Sequence, residues 1–119
     1  MANVQKTFAL ILGIVLLLVG ILGFFANGIV GDNGYFGTNT SQDILHLIAG
    51  AFGVYAGTKG KGKGYNATLG WIALVVGVLG FIPGINTMLA DYLNINNEIS
   101  VLHVVIGLVS LGVFYFVKE

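Results

Sequence analysis

The chain has 119 residues, of which 56% are hydrophobic, and its five lysines balance five acidic residues to give no net charge. A soluble domain of this length carries about a quarter charged residues to stay hydrated, so a charged share of 8% excludes an ordinary water-facing surface and implies one that faces lipid. Scattered lysines form no basic stripe for nucleic acid, the lack of Cys excludes disulfides and thiolate metal sites, and the length allows one domain over residues 1–119.

The first apolar run, Thr7 to Phe25, has no polar residue after Thr7. As a helix it would reach roughly 28 Å, close to the hydrocarbon thickness of a bilayer. Lys6, this run and Ala26-Asn27-Gly28 imitate a cleaved secretory leader. The run is longer than the roughly 7–15 residues of a leader core, and its copy lies mid-chain, so the segment is expected to remain. Gly28 to Thr38, rich in Gly, Asn and Asp, reads as turn. Ser41 to Gly57 is the second span, near the lower length limit. Asn39-Thr40-Ser41-Gln42 supplies its cap, and Asp43 complements the positive end of the helix dipole.

In the linker Thr58 to Gly64, Lys59, Lys61 and Lys63 alternate with glycine. They are fewer than the cluster of about 4–8 that anionic lipid recognition uses, so the segment reads as a flexible connection. Tyr65 to Ile82 is the third span, expected to stop at Pro83-Gly84. Ile85, Met88, Leu89, Tyr92 and Leu93 recur at helical spacing, predicting a short interfacial helix. Asn96-Asn97-Glu98 caps the fourth span, Ile99 to Val117.

The two halves are copies. Leu12-Gly13, Val19-Gly20, Leu22-Gly23-Phe24, Asn39, Leu45-His46 and Gly50 recur, 57 positions on, at Leu69-Gly70, Val76-Gly77, Leu79-Gly80-Phe81, Asn96, Leu102-His103 and Gly107. The repeats run over residues 6–57 and 63–117. Each contains two spans, so both have the same orientation and should be related by an axis along the membrane normal. The expected fold is all-α, a four-helix transmembrane bundle built from two tandem parallel helix-hairpin repeats. Lys6, Lys59, Lys61, Lys63 and Lys118 all fall on one side, whereas Asp32, Asp43, Asp91 and Glu98 fall in or beside the other two loops. By the positive-inside rule both termini are cytoplasmic and the protein is multi-pass in the plasma membrane.

Glycine spacing says how the helices should pack. Gly13 and Gly20 share a face, as do Gly70 and Gly77, and the stripes His46, Gly50, Gly53, Gly57 and His103, Gly107, Ser110 mark the facing helices. Small residues along a stripe let membrane helices approach closely. His46 and His103 fall at equal depth on those seams, roughly 8–10 Å inside the outer interface. Tyrosines aside, they are the ionisable side chains deep in the spans, and such a residue is a functional hypothesis by default.

Two readings of the histidines compete. In the first, each donates to a backbone carbonyl or Asn oxygen of a neighbouring helix and locks the packing. In the second they ligate haem b or a metal ion, with facing glycines making room for a porphyrin and Asp43 orienting or joining the ligand set. The outer loops have no Lys or Arg to receive haem propionates, and Asp43 is matched by Ser100 in the other half. A transporter would need a carboxylate deeper than the first turn of spans two and four, and an enzyme would need a nucleophile, base and orienter, which the sequence does not group. The expected function is therefore a non-enzymatic structural or interaction module without cofactor. Its environment is the lipid bilayer, its partner a membrane protein or a second copy, and the haem- or metal-binding bundle is the runner-up.

With Gly20-Ile-Leu-Gly-Phe24 and Gly77-Val-Leu-Gly-Phe81 closing the first helix of each half, and Leu45-His-Leu-Ile-Ala-Gly50 and Leu102-His-Val-Val-Ile-Gly107 in the second, the chain resembles the bacterial domain-of-unknown-function family 4383. The resemblance covers residues 6–117 and implies a small four-helix membrane protein, without implying an activity, cofactor or substrate. Members often have Asn three residues before the His, where this chain has Asp43 and Ser100.

Overall fold

The computed structural model describes residues 3–25 and 27–118; Ala26, part of the leader-like motif considered above, lies outside them. Among the described residues the chain is mostly helical. It forms α1 (Val4–Leu22), α2 (Thr40–Thr58), α3 (Lys63–Leu79), α4 (Ile85–Leu93) and α5 (Asn97–Phe116). Between α1 and α2, β1 (Val30–Gly31) and β2 (Phe36–Gly37) pair in parallel, Val30 opposite Phe36 and Gly31 opposite Gly37.

Local chemistry explains the boundaries. Asn3 caps α1 by accepting from the Lys6 amide at 3.0 Å, so the helix starts three residues before the purely apolar run and includes Gln5 and Lys6. Asn39 and Asn96 cap α2 and α5 in the same way, accepting from Gln42 at 2.9 Å and Ile99 at 3.0 Å. The third helix corrects the expectation that Pro83-Gly84 stops it, because α3 ends at Leu79. There Phe81 and Ile82 donate to the carbonyls of Val78 and Leu79, tightening the last turn and using up carbonyls that a continuing helix would have bonded. Pro83-Gly84 instead leads into α4, with Gly84 at φ 88°, where a side chain would be strained.

Two hairpins result, α1 against α2 and α3 against α5, with lighter contact between hairpins. The predicted packing glycines lie inside them. A Cβ on Gly13 would stand 2.6 Å from Val54 N, and one on Gly50 would stand 2.8 Å from Gly13 O. On Gly53 it would meet Gly13 Cα at 2.6 Å, and on Gly20 it would meet Asp43 O at 2.9 Å. The second hairpin repeats this, with Gly107 2.6 Å from Leu74 N, Gly77 2.7 Å from Val104 N and Gly70 2.9 Å from the Leu111 side chain. Cβ atoms do not tolerate such distances, so the backbones touch only because these residues are glycine.

Beside a small apolar core of residues such as Leu12, Ile95, Ile99 and Leu111, burial departs from the soluble pattern in two ways. The interior holds the polar side chains Gln5, Thr38, Gln42, Asp43, Asn66, Ser100 and Ser110, while Ile11, Leu18, Phe52, Trp71, Ile72, Val105 and Leu108 are exposed. Both α1 and α5 are long and apolar enough to cross a membrane, and α3 is an apolar helix of 17 residues.

Candidate functional site

Polar side chains join the two hairpins at both ends. At the lysine end Gln5 donates from Nε2 to the carbonyls of Val113 (2.8 Å) and Val117 (3.2 Å), at and just past the last turn of α5, where helix carbonyls run short of amide partners. Asn66, at the start of α3, donates to Gln5 O and Oε1, both at 2.9 Å. Gly62 makes this approach feasible: its φ of 82° and the Gln5 carbonyl, 2.5 Å from where a Cβ would stand, both exclude a side chain. Lys6 Nζ reaches the Thr58 carbonyl at 3.2 Å, so the ends of all four long helices gather here.

At the opposite end the two cap residues act reciprocally. Asn39 Nδ2 donates to Tyr92 O at 2.9 Å, and Asn96 Nδ2 donates to Tyr35 O at 3.0 Å. Asn39 and Asn96, and Tyr35 and Tyr92, are the same positions of the two halves, so each cap holds the loop of the other half. Gln42 Nε2 adds bonds to Gly37 O (3.1 Å) and Leu93 O (2.8 Å), and Asn94, in the left-handed region at φ 55°, donates to Thr38 O at 2.8 Å.

The histidines stand between these clasps. His46 is the seventh residue of α2 and His103 the seventh of α5, so both sit about 9 Å along their helices from the clasped end. Their ring centroids are 6.3 Å apart with 61° between the planes. Nδ1 of each ring is buried and has no hydrogen-bond partner. This departs from the expectation that each imidazole donates to an oxygen of a neighbouring helix, since the rings face one another. The reason lies in position: mid-helix carbonyls already accept from their own helix, and the two rings stand at the same step of α2 and α5. The glycine seams face the partner within each hairpin, whereas the histidines look across to the other hairpin.

Asp43 does not join them. Among the described residues no three His, Asp or Glu side chains converge as a metal site. The Asp43 carboxylate, 1% exposed, fills the notch left by Gly23, and Ser100 fills the matching notch at Gly80 while donating to Asn96 O at 2.9 Å. The glycines expected to open a porphyrin slot are likewise occupied, because Gly13, Gly50, Gly53 and Gly107 lie directly against partner backbone. Surface cavities of about 370 Å³ beside Tyr35, Glu98 and Val105, and about 310 Å³ beside Phe25, Asn27 and Asp32, are not lined by either histidine.

Gln5, Asn66 and Gln42 escaped sequence reasoning as site residues. A signal was present, because Gln5 is matched by Gly62 and Asn66 by Ala9. Gln5, Gly62 and Asn66 meet one another, so here two departures from the repeat mark a contact between the halves.

The family model described as "Domain of unknown function (DUF4383)" matches residues 6–116, and the chain belongs to that family. No curated protein and no solved structure matches it.

Proposed function

We propose that this member of the DUF4383 family is a multi-pass protein of the bacterial plasma membrane, its four long helices spanning the bilayer as a bundle with both termini in the cytoplasm. Its role is that of a non-enzymatic structural or interaction module, binding a membrane protein or a second copy. The observation that carries this reading is the outward-facing set of large apolar side chains, Ile11, Leu18, Phe52, Trp71 and Leu108 among them, around an interior that includes Gln5, Asp43 and Asn66. In water that surface would drive aggregation, whereas in lipid it costs nothing and the buried hydrogen bonds hold the helices together. The acid in α2 agrees, because Asp43 is 1% exposed and does not face the surroundings. With 19 residues α2 reaches about 28 Å, and α3 with 17 about 25 Å, both within reach of the hydrocarbon layer.

The test is fractionation and labelling in intact cells. The protein is expected in the membrane pellet after alkaline carbonate washing. Asn33→Cys should react with a membrane-impermeant thiol reagent, and Lys61→Cys should react only after lysis. Labelling of Lys61→Cys alone in intact cells would invert the topology, and recovery in the soluble fraction would end the membrane reading.

The facing of His46 and His103 supports a second reading, a bundle that binds haem b or a metal ion. The filled glycine notches weigh against a porphyrin and leave the ion. An absorption spectrum of the protein purified from its own host separates these, since haem gives a Soret band.

A further inference from the structure

We propose, taking up the metal form of that second reading, that His46 and His103 together hold one soft monovalent cation of the Cu(I) class in linear two-nitrogen coordination. Two imidazoles on different helices face each other with 6.3 Å between centroids. A direct imidazole–imidazole hydrogen bond would draw the centroids to about 5 Å, so the rings stand too far apart to bond each other. Two metal–nitrogen bonds of about 2 Å in line, plus the radius of each ring, come to about 6 Å. The gap therefore takes one ion, and each ring retains a buried nitrogen that nothing in the protein satisfies.

The donor set selects the ion. Zinc asks for four ligands, at least three from protein at a catalytic site, and magnesium and calcium ask for six or more oxygens. Here no three His, Asp or Glu side chains converge among the described residues, and the chain has no Cys. Filled-shell monovalent ions such as Cu(I) and Ag(I) are satisfied by two donors in line. Charge points the same way, because the cost of burying an ion rises with the square of its charge, which disfavours a divalent one between two neutral ligands.

The test uses the purified full chain in detergent micelles, loaded with silver nitrate in chloride-free buffer or with Cu(I) under ascorbate, then desalted and assayed for bound metal. Wild type is expected to retain one ion per chain, and His46→Phe and His103→Phe to retain none. Zinc offered alone should pass through. Imidazole NMR of wild type alone covers the case of a variant that fails to fold: silver should shift the ring signals of both histidines together, at one equivalent. Retention of zinc in a histidine-dependent way would overturn the two-coordinate assignment while leaving a metal site. No retained ion, with unshifted rings, would overturn both the assignment and the metal reading without touching the membrane reading.

Discussion

Gly107→Ala offers a sharp test of the packing, because α5 supplies its own control. A methyl on Gly107 would lie 2.6 Å from Leu74 N and 2.8 Å from Leu74 Cα and Cβ. Ordinary contact begins near 3.5–4.0 Å, so α3 and α5 must part by close to an ångström, or the backbone must bend. Overpacking of this kind costs about 1–3 kcal/mol, against which Ala returns about 1 kcal/mol of helix propensity over Gly. The net is a destabilisation of about 0–2 kcal/mol. Gly112 lies five residues further along the same helix with nothing within 4 Å of its would-be Cβ. There only the propensity gain remains, so Gly112→Ala should stabilise by up to about 1 kcal/mol. Thermal unfolding of both variants in one detergent, followed by circular dichroism, reads the difference. Shifts of the same sign and size would refute the claim that backbone contact holds the hairpin together. Leucine extends the series, since Gly50→Leu should lower the melting temperature well below that of Ala51→Leu, whose site is exposed.

The reciprocal clasp predicts unequal effects for its two members. Asn96 accepts from both Ile99 and Gly37 and donates to Tyr35, whereas Asn39 accepts only from Gln42 and donates to Tyr92. Asn39→Ala should cost about 1–2 kcal/mol as a lost cap, and Asn96→Ala about 1 kcal/mol more for the extra bond, read from detergent unfolding. Because neither histidine Nδ1 has a partner, the double change His46→Leu with His103→Leu should leave metal-free stability equal or raised. A fall of about 1–2 kcal/mol would restore the reading in which each ring donates to a neighbouring helix.

Several features of this protein depend on near neighbours in the chain and could therefore be read from the sequence. Apolar runs of bilayer length, the Asn39 and Asn96 caps and the short helix at 85–93 all follow from local spacing and composition. The glycine stripes belong with them, since residues three, four and seven apart share a helix face whatever that face meets. Which face meets which helix is a long-range matter. His46 and the glycines of α2 lie on one stripe, within a fraction of a turn of each other, yet the glycines face α1 and His46 faces α5. Periodicity cannot separate them, because that division is made by the crossing of the two hairpins. The same crossing gave Gln5 and Asn66 to the far hairpin and turned each cap toward the other half's loop. Pro83 shows the limit at short range: a proline predicts that no helix continues through it, but α3 had already ended four residues earlier, where its last turn tightened against the start of α5. Sequence thus determined which segments are helices and which of their faces are small, and only the tertiary pairing of the repeats decided that the two histidines, each left without a helical carbonyl to bond, would meet one another.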